Sequence, residues 1–381
     1  IDAKGFYGVF TKELSANATG DWIVRTILNF LAMAWIVSGI LLVGARSLRA
    51  EPFVYVPLGS ESKIAVIDAA KDQIIGIIDG LQAVHGLAGT PDGRFLIAGS
   101  YSERSVDIKP AKPKGISEDE HAAHHKASSV QTENSDIASV STVSVIQISE
   151  GEVIRTIDVP GAVHHVSVSP DGRYTAVTRP NESEISVIDL TNFEIVGNIS
   201  TGEFPNYSVF SPDSERLFVS NAGDSTISTI NSKNWNVEKV IPVGMSPEHI
   251  VLSKDGKTLF VNNVDDGTVS VVDTKSMQET NTMKLGSVLH GIDLSEDGTA
   301  LFVAALGDDK IAKVDLASGS LQTAELSPAP YHLATITETG KIYVSSSDET
   351  KIWVVDQKSL ELLGQITIDG KGHQMVVMPG S

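Results

Sequence analysis

The sequence predicts an all-β fold: a seven-bladed β-propeller closed by its C-terminal strand and preceded by one N-terminal transmembrane helix. Three observations carry this. Turns of one type recur as Thr90-Pro91-Asp92-Gly93, Ser169-Pro170-Asp171-Gly172, Ser211-Pro212-Asp213-Ser214, Ser253-Lys254-Asp255-Gly256, Ser295-Glu296-Asp297-Gly298 and Thr337-Glu338-Thr339-Gly340. The last five start at 169, 211, 253, 295 and 337, a constant step of 42 residues, which is the period of propeller blades. Ahead of the repeats, Thr26 to Ala45 is a run of 20 residues without a charge. At ~1.5 Å per residue such a helix spans a bilayer hydrocarbon core.

Residues 1–21 are mixed, with Phe6, Tyr7, Val9 and Phe10 among Lys4, Lys12 and Glu13. They read as a tail or as a segment lying at a membrane surface. Residues 22–46 read as an uncleaved anchor helix, being too long for a typical signal-peptide core. Lys4, Lys12 and Arg25 precede it and Arg46 and Arg49 follow it, so charge alone orients it weakly. A single N-terminal anchor ahead of a large domain places that domain outside the cytoplasm, in a periplasm-like compartment.

The propeller is expected over 53–381. Each unit is an apolar strand, a short turn, a second strand ending in Asp, a hairpin, a third strand, and then the next inner strand. Leu259-Phe260-Val261-Asn262-Asn263, Asp265-Asp266-Gly267 and Thr268-Val269-Ser270-Val271-Val272-Asp273 show the pattern. Equivalents of Phe260-Val261 count seven units. The chain enters with Phe53-Val54-Tyr55-Val56 lacking an inner strand and leaves with His373 to Met378 as an inner strand with nothing after it, so the last strand completes the first blade. Asp68, Asp189, Asp273, Asp315 and Asp356 end second strands and read as turn residues rather than catalytic acids. The step from 90 to 169 exceeds one blade by 37 residues, which predicts a loop insertion at about 101–140 in the second blade. Such a loop serves as a docking arm or is a solvated excursion. His121, His124 and His125 lie in it and read as solvated.

Composition excludes whole classes of function. A net charge of −19 disfavours nucleic acid as a partner. The absence of cysteine excludes disulfides, thiolate metal sites, iron–sulfur clusters and thioether-linked haem. Any metal must be held by histidine, carboxylate or backbone oxygen.

Counting back five residues from each turn gives His85, His164, Asn206, Glu248, His290 and His332, with His373 in the closing strand. His165 and His249 follow this position by one. Inner strands line the channel and start on one face, so His85, His164, His165, His249, His290, His332 and His373 converge at one mouth. Neutral imidazole is the commonest nitrogen ligand, and one ion takes about four of them. Seven suit several ions, or a haem-like group with a few partners, with Asn206 and Glu248 in support. The competing reading is that the ring is turn structure copied with the repeat, its imidazoles bonded to backbone.

Arg216-Leu217-Phe218-Val219-Ser220-Asn221 and Thr258-Leu259-Phe260-Val261-Asn262-Asn263, each after its turn, resemble the YVTN-repeat propellers and their YncE-like and cytochrome d1-type relatives. The resemblance covers about 53–380 outside the loop. It implies an extracytoplasmic seven-bladed propeller, and the d1-type relatives imply haem d1 on one face. The His164-His165 pair and the ring are also similar to the propellers of nitrous oxide reductase and thiocyanate dehydrogenase, which implies copper at the mouth. The cysteine-containing copper domain of the former has no counterpart here.

The expected function is that of a membrane-anchored extracytoplasmic subunit of a membrane redox or respiratory complex, partnered by the membrane and other subunits. Its mouth would hold copper or a haem d1-like group, or no cofactor at all. The alternative is a non-catalytic docking propeller gripping a membrane enzyme through the anchor and the 101–140 loop; a third reading is an independent copper oxidoreductase. Whether the chain is an enzyme stays open at this point.

Overall fold

The structure, a computed structural model, describes residues 52–107 and 137–379. The expected anchor at 22–46, the tail at 1–21 and His121, His124 and His125 lie outside these. Among the described residues no helix is long and apolar enough to cross a membrane.

Seven antiparallel sheets follow one another along the chain, six of four strands and one of five. The expected closure is present: Val376–Met378 pairs with Phe53–Leu58 as the innermost strand of blade 1, in the register Phe53↔Met378, Val54↔Val377 and Tyr55↔Val376. Blades 2 to 7 begin with inner strands Val84–Gly89, Val166–Val168, Pro205–Phe210, Pro247–Leu252, Leu289–Leu294 and Pro330–Ile336. Closing the ring completes blade 1 and leaves only the short inner-strand edges that line the channel.

The recurring turn folds on its first hydroxyl. Ser169 Oγ donates to Asp171 at 2.5 Å and accepts from the Tyr174 amide at 2.9 Å, while Gly172 takes φ 72°, where a side chain would be strained. Asp68, Asp189, Asp273, Asp315 and Asp356 accept from backbone amides two or three residues on, as expected of turn residues.

The core is distributed between neighbouring blades. Phe218 of blade 4 packs with Leu259 and Val261 of blade 5, and Phe302 of blade 6 with Ile342 and Val344 of blade 7. Tyr343 of blade 7 packs with Val54 of blade 1. Each fully buried phenylalanine contributes roughly 1.5–3 kcal/mol, so the blades are cemented face to face around the axis.

One expectation is corrected in blade 2. The ends of the region expected as a 101–140 loop are strand: Arg104–Asp107 pairs with the start of Ile137–Gln147, and Ile137–Gln147 then continues into the blade. Arg104 bonds Asp158 at 2.5 Å, and Glu103 accepts from the Ala162 amide at 3.1 Å. These contacts tie the added strand to the neighbouring connection, a link between distant residues that periodicity does not reveal.

Candidate metal centre at the channel mouth

The inner strands do not start as regular ladders. In blades 2, 4, 5, 6 and 7 the pairing slips within the first residues, between Val84/Gly86, Pro205/Ser208, Pro247/Ile250, Leu289/Ile292 and Pro330/Leu333. Bulges re-aim side chains, and here they turn two successive residues of each strand toward the axis. Polar groups on the adjoining strands pin the bulged backbone. Thr178 Oγ1 donates to the Asn206 carbonyl at 2.8 Å, Ser220 Oγ to that of Glu248 at 2.5 Å, and Asn262 Nδ2 to that of His290. Each of these bonds crosses to the next blade.

Two tiers result. The outer tier is His373, His85, His164, Asn206, Glu248, His290 and Tyr331; the inner tier is Gln374, Gly86, His165, Tyr207, His249, Gly291 and His332. His332 is thereby corrected. The constant step of 42 aligns it with His290, but Ile292 and Leu333 hold equivalent register positions opposite Val303 and Val344 and are 41 residues apart. The step of 41 continues past the turn, from Leu301 to Ile342 and from Ala305 to Ser346, so Ile336 and not Thr337 is the equivalent of Ser295, and His332 lies one tier inward beside His249.

All seven predicted histidines meet at this mouth. Ring centroids lie 4.3 Å apart for His85–His373, 4.5 Å for His85–His164, 5.0 Å for His165–His249, 4.9 Å for His249–His332 and 4.2 Å for His249–His290. Three sets bring ligand atoms within 4.8 Å of one another: His85, His164 and His165; His165, His249 and His332; and Glu248, His249 and His290. His373 stands at the edge of the first, against His85. Asn206 acts through its backbone carbonyl, which takes the His165 Nδ1–H at 2.9 Å, while its side-chain oxygen has no partner. Sequence reasoning missed Tyr207, Tyr331, Tyr101 and Gln374. The first, second and fourth neighbour the counted positions, so reading the bulge as two inward residues would have found them.

Two glycines make room for this crowding. A Cβ on Gly86 would sit 2.8 Å from His165 Cα, and one on Gly291 would sit 2.6 Å from the Leu333 nitrogen. Gln374 supports the inner tier from across the axis. Its oxygen accepts from the Leu87 amide at 3.0 Å, and its nitrogen donates to the Val166 carbonyl at 3.1 Å and the Tyr207 hydroxyl at 3.2 Å.

Burial holds the imidazoles neutral. It lowers His164, His249 and His373 to about 3 and carries His165, His290 and His332 well below the usual range, with neighbouring imidazoles adding to the effect. Burial, then Asp265, pushes Glu248 up to about 7, with its carboxylate 3.6 Å from His290 Nε2. Nε2 of His165 and of His332, Nδ1 of His290 and of His373, and both nitrogens of His249 are buried without a hydrogen-bond partner. Buried polar atoms are normally satisfied. Metal ions would satisfy these: neutral imidazoles in sets of three are ready ligands. A macrocycle would not fit between rings 4.2–5.0 Å apart.

Fold and site define a class: a seven-bladed propeller with a two-tiered histidine ring at its channel mouth. Residues 172–346 match the family described as "Lactonase, 7-bladed beta-propeller". No curated protein matches the chain. Among solved structures it is similar to hydrazine synthase of Kuenenia stuttgartiensis (TM-score 0.63, 16% identity, 83% of this chain and 98% of that one). It is also similar to the periplasmic gluconolactonase PpgL of Pseudomonas aeruginosa (0.63, 17%, 86% and 98%). A third likeness is to the dihydro-heme d1 dehydrogenase NirN (0.59, 13%, 83% and 63%). At these identities the likeness is one of fold.

Proposed function

We propose that the chain is a membrane-anchored, extracytoplasmic propeller subunit of a membrane redox complex, with a copper-binding site at its histidine mouth. The observation that carries the metal site is the set of buried, unpartnered ring nitrogens on His165, His249, His290, His332 and His373. The apolar run Thr26–Ala45 supports the anchor and, through it, the compartment. Copper supplies one-electron redox chemistry when bound. The chain's own part is to keep the imidazoles neutral and to fix their direction. His85 and His165 donate Nδ1–H to the carbonyls of His164 and Asn206 at 2.8 and 2.9 Å, which leaves Nε2 as the ligand atom on each ring.

The experiment is elemental analysis and an optical spectrum of the full chain purified in mild detergent. Copper equivalents lost on replacing His165 and His332 support the site. A metal-free protein that hydrolyses lactones would overturn it in favour of the activity that the family description names, with Glu248 and His290 as the groups at hand. A haem band would move the cofactor to the open side of the mouth.

A further inference from the structure

The face that carries the histidine mouth differs in charge from the face opposite. Hairpins and inter-blade connections around the mouth present exposed carboxylates from successive blades, among them Asp79, Glu203, Asp224, Asp265, Asp348 and Asp369. Exposed Arg104, Lys284, Lys310 and Lys371 also stand on the mouth side, fewer than its carboxylates, whereas at the far-face turns cations such as Arg94, Lys233 and Lys257 are matched by Asp92, Glu215 and Asp255.

Among the mouth carboxylates, large apolar groups are turned to water: Tyr101 is 48% exposed, Phe204 40%, Met245 53% and Val288 43%. Phe204 and Val288 occupy equivalent places just before their inner strands and hold left-handed backbone, φ 52° and 48°. Ala83, Ser246 and Ala329 hold the same left-handed place in their connections, so the conformation belongs to the repeat, and blades 4 and 6 mount a bulky apolar side chain on it. Tyr101 links the surface to the site, its ring 5.4 Å from His85 and 5.8 Å from His164.

We propose that this face docks a small basic one-electron carrier protein, seated over Tyr101, which delivers an electron to the histidine site. The proposal rests on the redox reading above. The chain has no cysteine, and the metal-ligand sets found among the described residues all lie at the mouth. An electron therefore has to arrive at the mouth itself. Apolar anchors in a charged rim are the anatomy of a transient interface, and acidic rims steer basic partners by long-range attraction. The carrier loses one electron and the bound metal gains it; no bond forms and no proton moves.

The test is an NMR titration of 15N-labelled mitochondrial cytochrome c, a basic carrier, with the full detergent-solubilised chain, copper-free and copper-loaded. Saturable shifts at the exposed haem edge are expected at low salt and should vanish near ~0.2 M salt, where charges more than ~8 Å apart are screened. The triple variant Asp79→Lys, Glu203→Lys and Asp348→Lys should weaken binding at least ~10-fold, with unchanged Tm and copper content. An acidic carrier of similar size should not bind. Absence of shifts, salt-independent binding, or equal binding by the triple variant would overturn the proposal. Failure of the underlying redox reading is read separately, as absence of copper from the wild-type chain. Binding only as a second copy of this chain, seen by light scattering, would also overturn it.

Discussion

His165 donates its Nδ1–H to the carbonyl of Asn206 at 2.9 Å, and that one bond fixes what the imidazole can do. A carbonyl only accepts, so the proton is on Nδ1 and the bare lone pair is on Nε2. That nitrogen is buried, has no partner, and belongs to the set that includes His249 and His332.

Replacing His165 with Ala should therefore lower copper affinity by more than the roughly 10–100-fold typical of losing a supporting partner. Asn206→Ala should leave affinity nearly unchanged, because the contribution of Asn206 is its backbone carbonyl. Competitive titration against a chelator of known affinity measures both. Equal losses would show that the side chain of Asn206 participates.

Gly86→Ala and Gly291→Ala should each destabilise the propeller by about 1–3 kcal/mol, the usual cost of overpacking. The added methyl would meet backbone atoms at 2.8 and 2.6 Å, which cannot swing aside as a flexible side chain could. Gly364→Ala, where nothing lies within 4 Å, is the control. Urea denaturation reads the difference.

The metal-free protein should lose stability as pH falls below about 6.5, the unfolded value of histidine. Above that pH both states are neutral and the ring contributes nothing to the slope. Below it, down to the folded values of about 3 for His164, His249 and His373, the unfolded chain binds protons that the folded chain refuses. Each such histidine then costs up to about 1.4 kcal/mol per pH unit. Bound copper should shift the acid midpoint lower, since it competes with protons for the same lone pairs. Circular dichroism across pH 3–8, with and without copper, checks this.

Arg179 is fully buried in blade 3, donating to Glu184 at 2.5 Å and to the Pro160 carbonyl at 2.9 Å. Glu184→Gln should cost about 3 kcal/mol, because it strands a buried guanidinium without its counter-ion. Arg179→Met, which removes the buried charge and keeps apolar bulk, should cost less. A thermal-unfolding series that reversed this order would refute the argument.

Copper at about 100 times its Kd should stabilise the folded state by about 2.7 kcal/mol, read as a rise in Tm. The rise should disappear in a His165→Ala, His332→Ala double variant.

Much of this molecule was legible in the chain. Seven blades, the C-terminal closure and the meeting of seven histidines at one mouth follow from the step of 42, because a residue at a fixed place in a repeat occupies a fixed place in each blade. The tiers were not legible. His290 and His332 share a count from the recurring four-residue motif but not a register, since blade 7 repeats blade 6 at a step of 41 and its motif sits one residue later in the turn. Only the ladder, Ile292 opposite Val303 and Leu333 opposite Val344, reveals it.

The sequence by itself determined the architecture, through periodic placement of apolar strands and hydroxyl-led turns that each fold locally. It also determined the ligand chemistry, since a chain without cysteine that places seven imidazoles at or next to one recurring position offers nitrogen donors there. Tertiary structure decided which nitrogens are free, which rings are buried together and which face is acidic. Those properties depend on residues of different blades meeting, across the axis as Gln374 meets Tyr207 or between neighbours as Thr178 meets the Asn206 carbonyl. Contacts between distant repeats are fixed only when the ring closes.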